Sequence, residues 1–221
     1  MLEQLAKFFG NDPQVLTAMR DTCSSVCFKP NATILSQEED GNTVYCLLEG
    51  KAKALLFSED GVEIWLDEYQ PGTLFGEISL LSGEQRTANI VAITDVTVAA
   101  FPGDAFLKLM YTHGSIGVRI SQMLARRVQK TTRRLFEVSS FSAKGRIYAE
   151  LLRMAEPTNS GSKTLVIGHL PTFSVFARKV NSTRETVSRT VNELVRMGYV
   201  KREGNRLDIL DPEGLESLRR W

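Results

Sequence analysis

The sequence predicts an α+β chain: an N-terminal antiparallel β-roll with flanking helices, a long central helix, and a C-terminal winged helix-turn-helix. Three observations carry this. Turn-forming pairs recur every ~8–12 residues between Cys23 and Phe101, which is the spacing of short strands in a roll or barrel. An apolar stripe with a heptad period follows. Two helical patterns then meet at a tight turn around Asn181. The boundaries that follow are 1–112 for the roll, 113–138 for the long helix and 139–221 for the C-terminal domain, and 221 residues at 43% hydrophobic suffice for two cores.

In order along the chain, residues 3–20 read as one or two short helices. The turn signals after them are Pro30-Asn31, Asp40-Gly41, Glu49-Gly50, Asp60-Gly61, Pro71-Gly72 and Ser82-Gly83. Between them Val44–Leu48 and Val62–Leu66 read as strands, and Asn89–Phe101 as a longer one. Helical pattern resumes at Gly103 and dominates from Ser115 to Val138. There Leu124, Val128, Thr131, Leu135 and Val138 form the heptad seam, with Arg126, Arg127, Lys130, Arg133 and Arg134 mainly off it. A second chain would cover this stripe, and so would packing on the same chain's roll. Thr131 is the odd member, since a hydroxyl in a seam usually has a specific partner. Phe141–Lys144 reads as a hinge, Gly145–Ala155 as a helix and Glu156–Lys163 as an exposed loop.

Charge divides the chain. Through Met110 there are 7 Lys and Arg against 16 Asp and Glu, a net of −9; from Tyr111 the counts are 20 and 10, a net of +10. A near-neutral total split this way points to a polyanion meeting the second half. No run reaches the ~18 apolar residues of a membrane helix, and the acidic N-terminus lacks the order of a signal peptide. A soluble cytoplasmic protein is expected. Cys23, Cys27 and Cys46 make no even disulfide framework, and His113 and His169 share no ligand spacing, so neither a metal site nor a covalent cofactor is expected. No nucleophile–base motif is present, and the chain does not read as an enzyme.

Residues 172–197 hold the sharpest local signal. A first helix would bury Phe173, Phe176, Ala177 and Val180. Asn181 tolerates the left-handed turn, and Ser182 would cap a second helix with Glu185 completing a capping box. On that helix Val187, Val191, Leu194 and Val195 form a buried stripe, leaving Arg184, Glu185, Ser188, Arg189 and Asn192 outward. Guanidinium groups bind guanine edges in pairs of hydrogen bonds, and carboxylates accept from cytosine. Arg178, Lys179, Arg196, Lys201 and Arg202 supply phosphate-binding charge. Tyr199–Ile209 reads as the wing hairpin and Asp211–Trp221 as a last helix.

A second signal is Phe75-Gly76-Glu77-Ile78-Ser79-Leu80-Leu81 followed by Arg86-Thr87-Ala88. A glycine turn lets backbone N–H groups approach a cyclic phosphate, Arg86 offers it a charge-assisted pair, and Glu77 can accept from a ribose 2′-hydroxyl. Read alone, the same residues also make an ordinary strand-turn-strand.

These segments, with Ala125–Thr132, Lys144–Ile147 and Arg184–Arg189, occur in one order over nearly the whole chain. In this the sequence resembles the CRP/FNR family of bacterial regulators. The resemblance implies a homodimer that binds cyclic AMP and double-stranded DNA and touches RNA polymerase, through the Glu156–Lys163 loop. Gly76, Glu77, Ile78, Ser79, Arg86 and Thr87 would be the phosphate and ribose cassette. Thr131 would contact the base, and Thr132 would reach the partner subunit's ligand. Thr183, Arg184, Glu185, Ser188 and Arg189 would face DNA, with Arg184, Glu185 and Arg189 reading a TGTGA-type half-site.

The sequence also departs from the family pattern. Gln85 stands where Pro is common before the arginine, Ala32 where the roll's first turn usually has Gly, and Phe173 where a polar phosphate contact is usual. Thr87 keeps cyclic GMP open. A redox, gas or cyclic-dinucleotide sensor of the same shape is a rival, as are a ligand-independent regulator and the regulatory part of an enzyme.

Overall fold

The computed structural model describes residues 1–57, 61, 63–158 and 163–219. They form two compact units, Met1–Arg127 and Val128–Trp221. The first holds α1 (Leu2–Phe9), α2 (Pro13–Thr22), β1 (Ser24–Phe28), β2 (Thr33–Leu35), β3 (Thr43–Glu49), β4 (Ala52–Phe57), β5 (Glu63–Tyr69), β6 (Leu74–Phe75), α3 (Glu77–Ser82), β7 (Asn89–Ala92), β8 (Val96–Pro102) and α4 (Gly103–Thr112). α5 (Gly114–Ser140) runs on into the second unit, which continues with α6 (Ala143–Met154), β9 (Glu156–Pro157), β10 (Leu165–Ile167), α7 (Phe173–Lys179), α8 (Arg184–Arg196), β11 (Val200–Glu203), β12 (Arg206–Ile209) and α9 (Pro212–Leu218).

The N-terminal pattern is two helices rather than one. Gly10 takes φ 84°, and Asp12 then restarts the helix. Its carboxylate accepts from Gln14 N at 2.9 Å, and Pro13 fills the first helical position, where a missing N–H costs nothing. Two antiparallel sheets make the roll, in the orders β1-β8-β3-β6 and β2-β7-β4-β5. The alternation of β3 serves two cores at once: Val44, Cys46 and Leu48 pack with the helices' Leu5, Phe9, Met19 and Phe106, while Leu47 joins Phe75, Ile90 and Val98 inside the roll.

Several expectations need correction. The single strand expected over Asn89–Phe101 is two, because the chain changes sheets there: β7 pairs with β4 and β8 with β3. The corner is pinned at Lys51, whose carbonyl accepts from Ile93 N at 2.8 Å and whose N–H donates to Thr94 Oγ1 at 3.0 Å. Of the strand expected over Val62–Leu66, Val62 lies outside the described residues, and β5 extends to Tyr69. Ala143 and Lys144 are helical rather than hinge, since Ser142 Oγ accepts from Gly145 N and starts α6 early. Glu156 and Pro157 of the expected loop pair with β10 as a short strand, and residues 159–162 of it lie outside the described residues.

α5 has 27 residues, about 40 Å of helix. Leu124 packs into the first unit's helical core. Beyond it Val128 is 64% exposed, Leu135 66% and Val138 43%. No helix among the described residues is long and apolar enough to cross a membrane. The second unit's core gathers Ile147 and Leu151 of α6, Phe176 of α7, Val187, Val191 and Leu194 of α8, and Leu207 and Ile209 of β12. Its sheet runs β11-β12-β10-β9.

Candidate ligand and DNA-binding sites

In the first unit, Gly76 turns the chain out of β6 with φ 83°, a conformation that favours glycine. A Cβ there would sit 2.9 Å from the Thr43 carbonyl and 3.0 Å from Arg86 Nη1. Arg86 crosses under this turn. Its Nη1 donates to Gly76 O and Ser79 Oγ, both at 2.6 Å, and its Nη2 donates to Thr43 O at 2.7 Å. Arg86 is only 6% exposed. Burial lowers its pKa from the ordinary value.

Glu77 begins α3 fully buried. One carboxylate oxygen accepts from Arg127 Nη1 at 2.5 Å, and Arg127 Nη2 donates to Leu74 O at 2.6 Å. The other oxygen, Oε2, is buried without a partner among the described residues. Burial pushes the Glu77 carboxyl up, against the opposing pull of Arg127. Arg127 also lies 5.6 Å from the centre of the Tyr69 ring, which stacks on Phe75. Around these groups lies a cavity of about 40 Å³, lined by Gly76, Glu77, Ile78, Ser79, Arg86 and Thr87 together with Leu35, Tyr69, Phe75, Ala88, Ile90 and Arg127.

Six residues expected in the cassette therefore meet at one cavity. Thr131 and Thr132 are exposed on α5 within the second unit. Sequence reasoning does not single out Arg127 or Tyr69. Arg127 reads there as one more charge off the seam, although it stands one helical turn before the polar Thr131.

In the second unit, Asn181 takes φ 50° between α7 and α8, as the turn requires. Ser182, however, is not the cap. Its N–H still bonds Ala177 O at 2.9 Å, and Thr183 is the extended residue whose hydroxyl accepts from Thr186 N at 3.1 Å. The cap thus falls one residue later, which moves Glu185 off the capping-box position and leaves its carboxylate exposed. Arg184 is exposed beside it, and Ser188 is half-buried. Arg189 is exposed on the next turn. The buried stripe uses Thr190 in place of Val195, which is 40% exposed. Phe173 is only partly buried.

Two guanidinium groups hold the turn. Arg146 of α6 donates to Val180 O at 2.9 Å and Asn181 O at 2.8 Å, and Arg134 of α5 donates to Lys179 O at 2.7 Å. These are the carbonyls that the end of α7 leaves unpaired, and cations favour that pole of a helix. Lys144 adds a 2.6 Å ion pair to Glu193 of α8, which raises the lysine's pKa and lowers the glutamate's.

A cavity lined by a glycine turn, an arginine and a buried glutamate in one unit, and a winged helix-turn-helix in the other, define a ligand-binding, DNA-binding regulator. Residues 25–113 match the cyclic nucleotide-binding domain and residues 145–218 the Crp-like helix-turn-helix domain. The chain belongs to the CRP/FNR family, as a cyclic-nucleotide-binding transcription regulator.

Over 217 residues it is 28% identical to a CRP-like cAMP-activated global transcriptional regulator of Mycobacterium tuberculosis, covering 97% of this chain and 96% of the relative. A CRP/FNR-family transcriptional regulator from Thermus thermophilus superposes with a TM-score of 0.60 at 28% identity, over 90% of this chain and 99% of the other. The c-di-GMP-responsive global regulator of Xanthomonas campestris shares the fold, with a TM-score of 0.75 at 17% identity over 90% and 100%.

Proposed function

We propose that the chain is a dimeric regulator that binds cyclic AMP in the roll and reads a TGTGA-type inverted repeat in double-stranded DNA. The observation that carries the ligand is the unpartnered, buried Oε2 of Glu77, beside an arginine that already faces the turn. A buried charged acceptor is costly when unmatched, and a ribose 2′-hydroxyl is a donor of the right kind. The cavity's 40 Å³ has room for a few waters, so a nucleotide must widen it. Arg86 is the natural moving part. Its three protein acceptors are exchanged for phosphate oxygens, and a bidentate pair with an anion replaces three bonds to neutral acceptors.

The exposed apolar residues of α5 support a second copy of the chain as the seam's cover, since each buried Val or Leu contributes ~1.5–3 kcal/mol. Thr131 and Thr132 then face the ligand at the subunit junction. Nucleotide binding stabilises the dimer whose two α8 helices are spaced for successive major grooves, with a coupling of ~1–3 kcal/mol. Arg184, Glu185 and Arg189 read bases, while Thr183 and Ser188 lie against the backbone. The Glu156–Lys163 segment is assigned to RNA polymerase by family likeness, and the setting is the cytoplasm.

The test is calorimetric titration with cyclic AMP, cyclic GMP and cyclic di-GMP, with and without a TGTGA palindrome, alongside sedimentation. Tightest binding of cyclic AMP by a dimer, strengthened by the palindrome, is the expected result. A monomer, or indifference to all three nucleotides, would refute it.

A further inference from the structure

Phe173 opens α7, and a cation of the wing lies against its ring. Arg202 of β11 places its guanidinium carbon 4.7 Å from the Phe173 ring centre. Its Nε donates to Gly204 O at 3.1 Å, across the turn of the β11–β12 hairpin. The hairpin turn is itself tied to the segment entering α7, since Leu170 N donates to Asn205 O at 2.6 Å.

The hairpin's other cations are neutralised. Lys201 Nζ meets Glu203 at 2.8 Å, and Arg206 Nε meets Asp208 at 2.8 Å. Among the described residues no carboxylate pairs with Arg202, and its two terminal nitrogens have no partner. A planar cation clamped on an aromatic face, with its N–H edge unspent, is arranged to grip an anion through two parallel hydrogen bonds.

We propose that Arg202 is a DNA-phosphate contact delivered by the wing and held in place by Phe173 at the head of α7. This rests on the DNA-reading function proposed above. The first helix of such a motif crosses the sugar-phosphate backbone, so a guanidinium stacked at its first residue lies where phosphates pass. A contact of this kind positions the protein without reading sequence.

The test is fluorescence anisotropy on a TGTGA palindrome and on an unrelated duplex, across a salt series, for the unmodified chain and for Arg202→Ala, Arg202→Lys, Phe173→Ala and the Arg202→Ala/Phe173→Ala double variant. One lost phosphate lowers the slope of log K against log salt by about 0.9 per bound subunit. The advantage of the unmodified chain over Arg202→Ala therefore shrinks about 3.5-fold per subunit between 50 and 200 mM salt, on both duplexes alike. Arg202→Lys retains part of the slope. Phe173→Ala weakens binding alone but adds nothing to Arg202→Ala.

An unchanged slope in Arg202→Ala overturns the contact, as does a loss confined to the palindrome. A Phe173→Ala effect of equal size in both backgrounds overturns the clamp. Failure of the unmodified chain to bind either duplex sinks the DNA-reading function itself, and this contact with it.

Discussion

Cyclic AMP and its 2′-deoxy analogue differ by one oxygen, and Glu77 is the group placed to feel the difference. Its carboxylate is fully buried, with Oε1 spent on Arg127 at 2.5 Å and Oε2 unpartnered. A hydroxyl that donates to Oε2 satisfies a charged acceptor already stripped of water, a bond worth ~1.5–3 kcal/mol. At 1.4 kcal/mol per tenfold, the analogue should bind about 10- to 150-fold more weakly. Calorimetric titration of both nucleotides at neutral pH measures this ratio. In Glu77→Gln the acceptor is neutral and its charge-assisted share is lost, so the ratio should fall to a few-fold at most. Equal affinities in the unmodified protein, or an unchanged ratio in Glu77→Gln, would refute the ribose assignment while leaving the arginine's role open.

Arg86→Leu should abolish the nucleotide response, but not on an unperturbed fold. It removes the Arg86 donors from the Thr43 and Gly76 carbonyls and from Ser79 Oγ, leaving Gly76 O with only a 3.4 Å bond from Ser79 Oγ, and a buried carbonyl left short of donors costs ~1–3 kcal/mol, so thermal melting should fall together with the calorimetric signal. Glu185→Val should relax the choice of base at one position of the half-site by about tenfold or more, read by competition among single-base operator variants. Thr190 is 1% exposed, its hydroxyl without a partner among the described residues, and Thr190→Val should raise stability by about 1 kcal/mol in denaturant unfolding, with no change in DNA affinity. For pH, burial raises the folded pKa of Glu77 above its ordinary 4.5, so its contribution is largest when protonated and is lost as pH rises through the folded value. Subtracting the unfolding free energy of Glu77→Gln from that of the unmodified protein should give a difference that declines with rising pH over that interval; a rising difference would contradict the burial argument.

The strand-and-turn rhythm of the roll, the left-handed Asn181 and the wing hairpin are all legible in the sequence. Turn chemistry and hydrophobic period are local properties, and the chain obeys them residue by residue. That the residues around Gly76 and Arg86 meet at one cavity is legible for a related reason, since the two are only ten residues apart and joined by one short helix. Cap placement is less secure. Ser182 and Thr183 are adjacent and both able to cap, and the choice falls to Thr183 because Ser182 N is still committed to Ala177 O.

What the tertiary structure alone decides are the long-range pairings. Arg127 reaches Glu77 across 50 positions, and Arg146 reaches Asn181 across 35. The sheet change that splits Asn89–Phe101 likewise depends on which strands β7 and β8 find, not on their own residues. A charged side chain has no periodicity to betray its partner, because an exposed arginine and a buried one are written with the same letter. Only the folded backbone, which removes water from Glu77 and leaves Arg202 without a carboxylate among the described residues, distinguishes a solvated charge from one committed to a site.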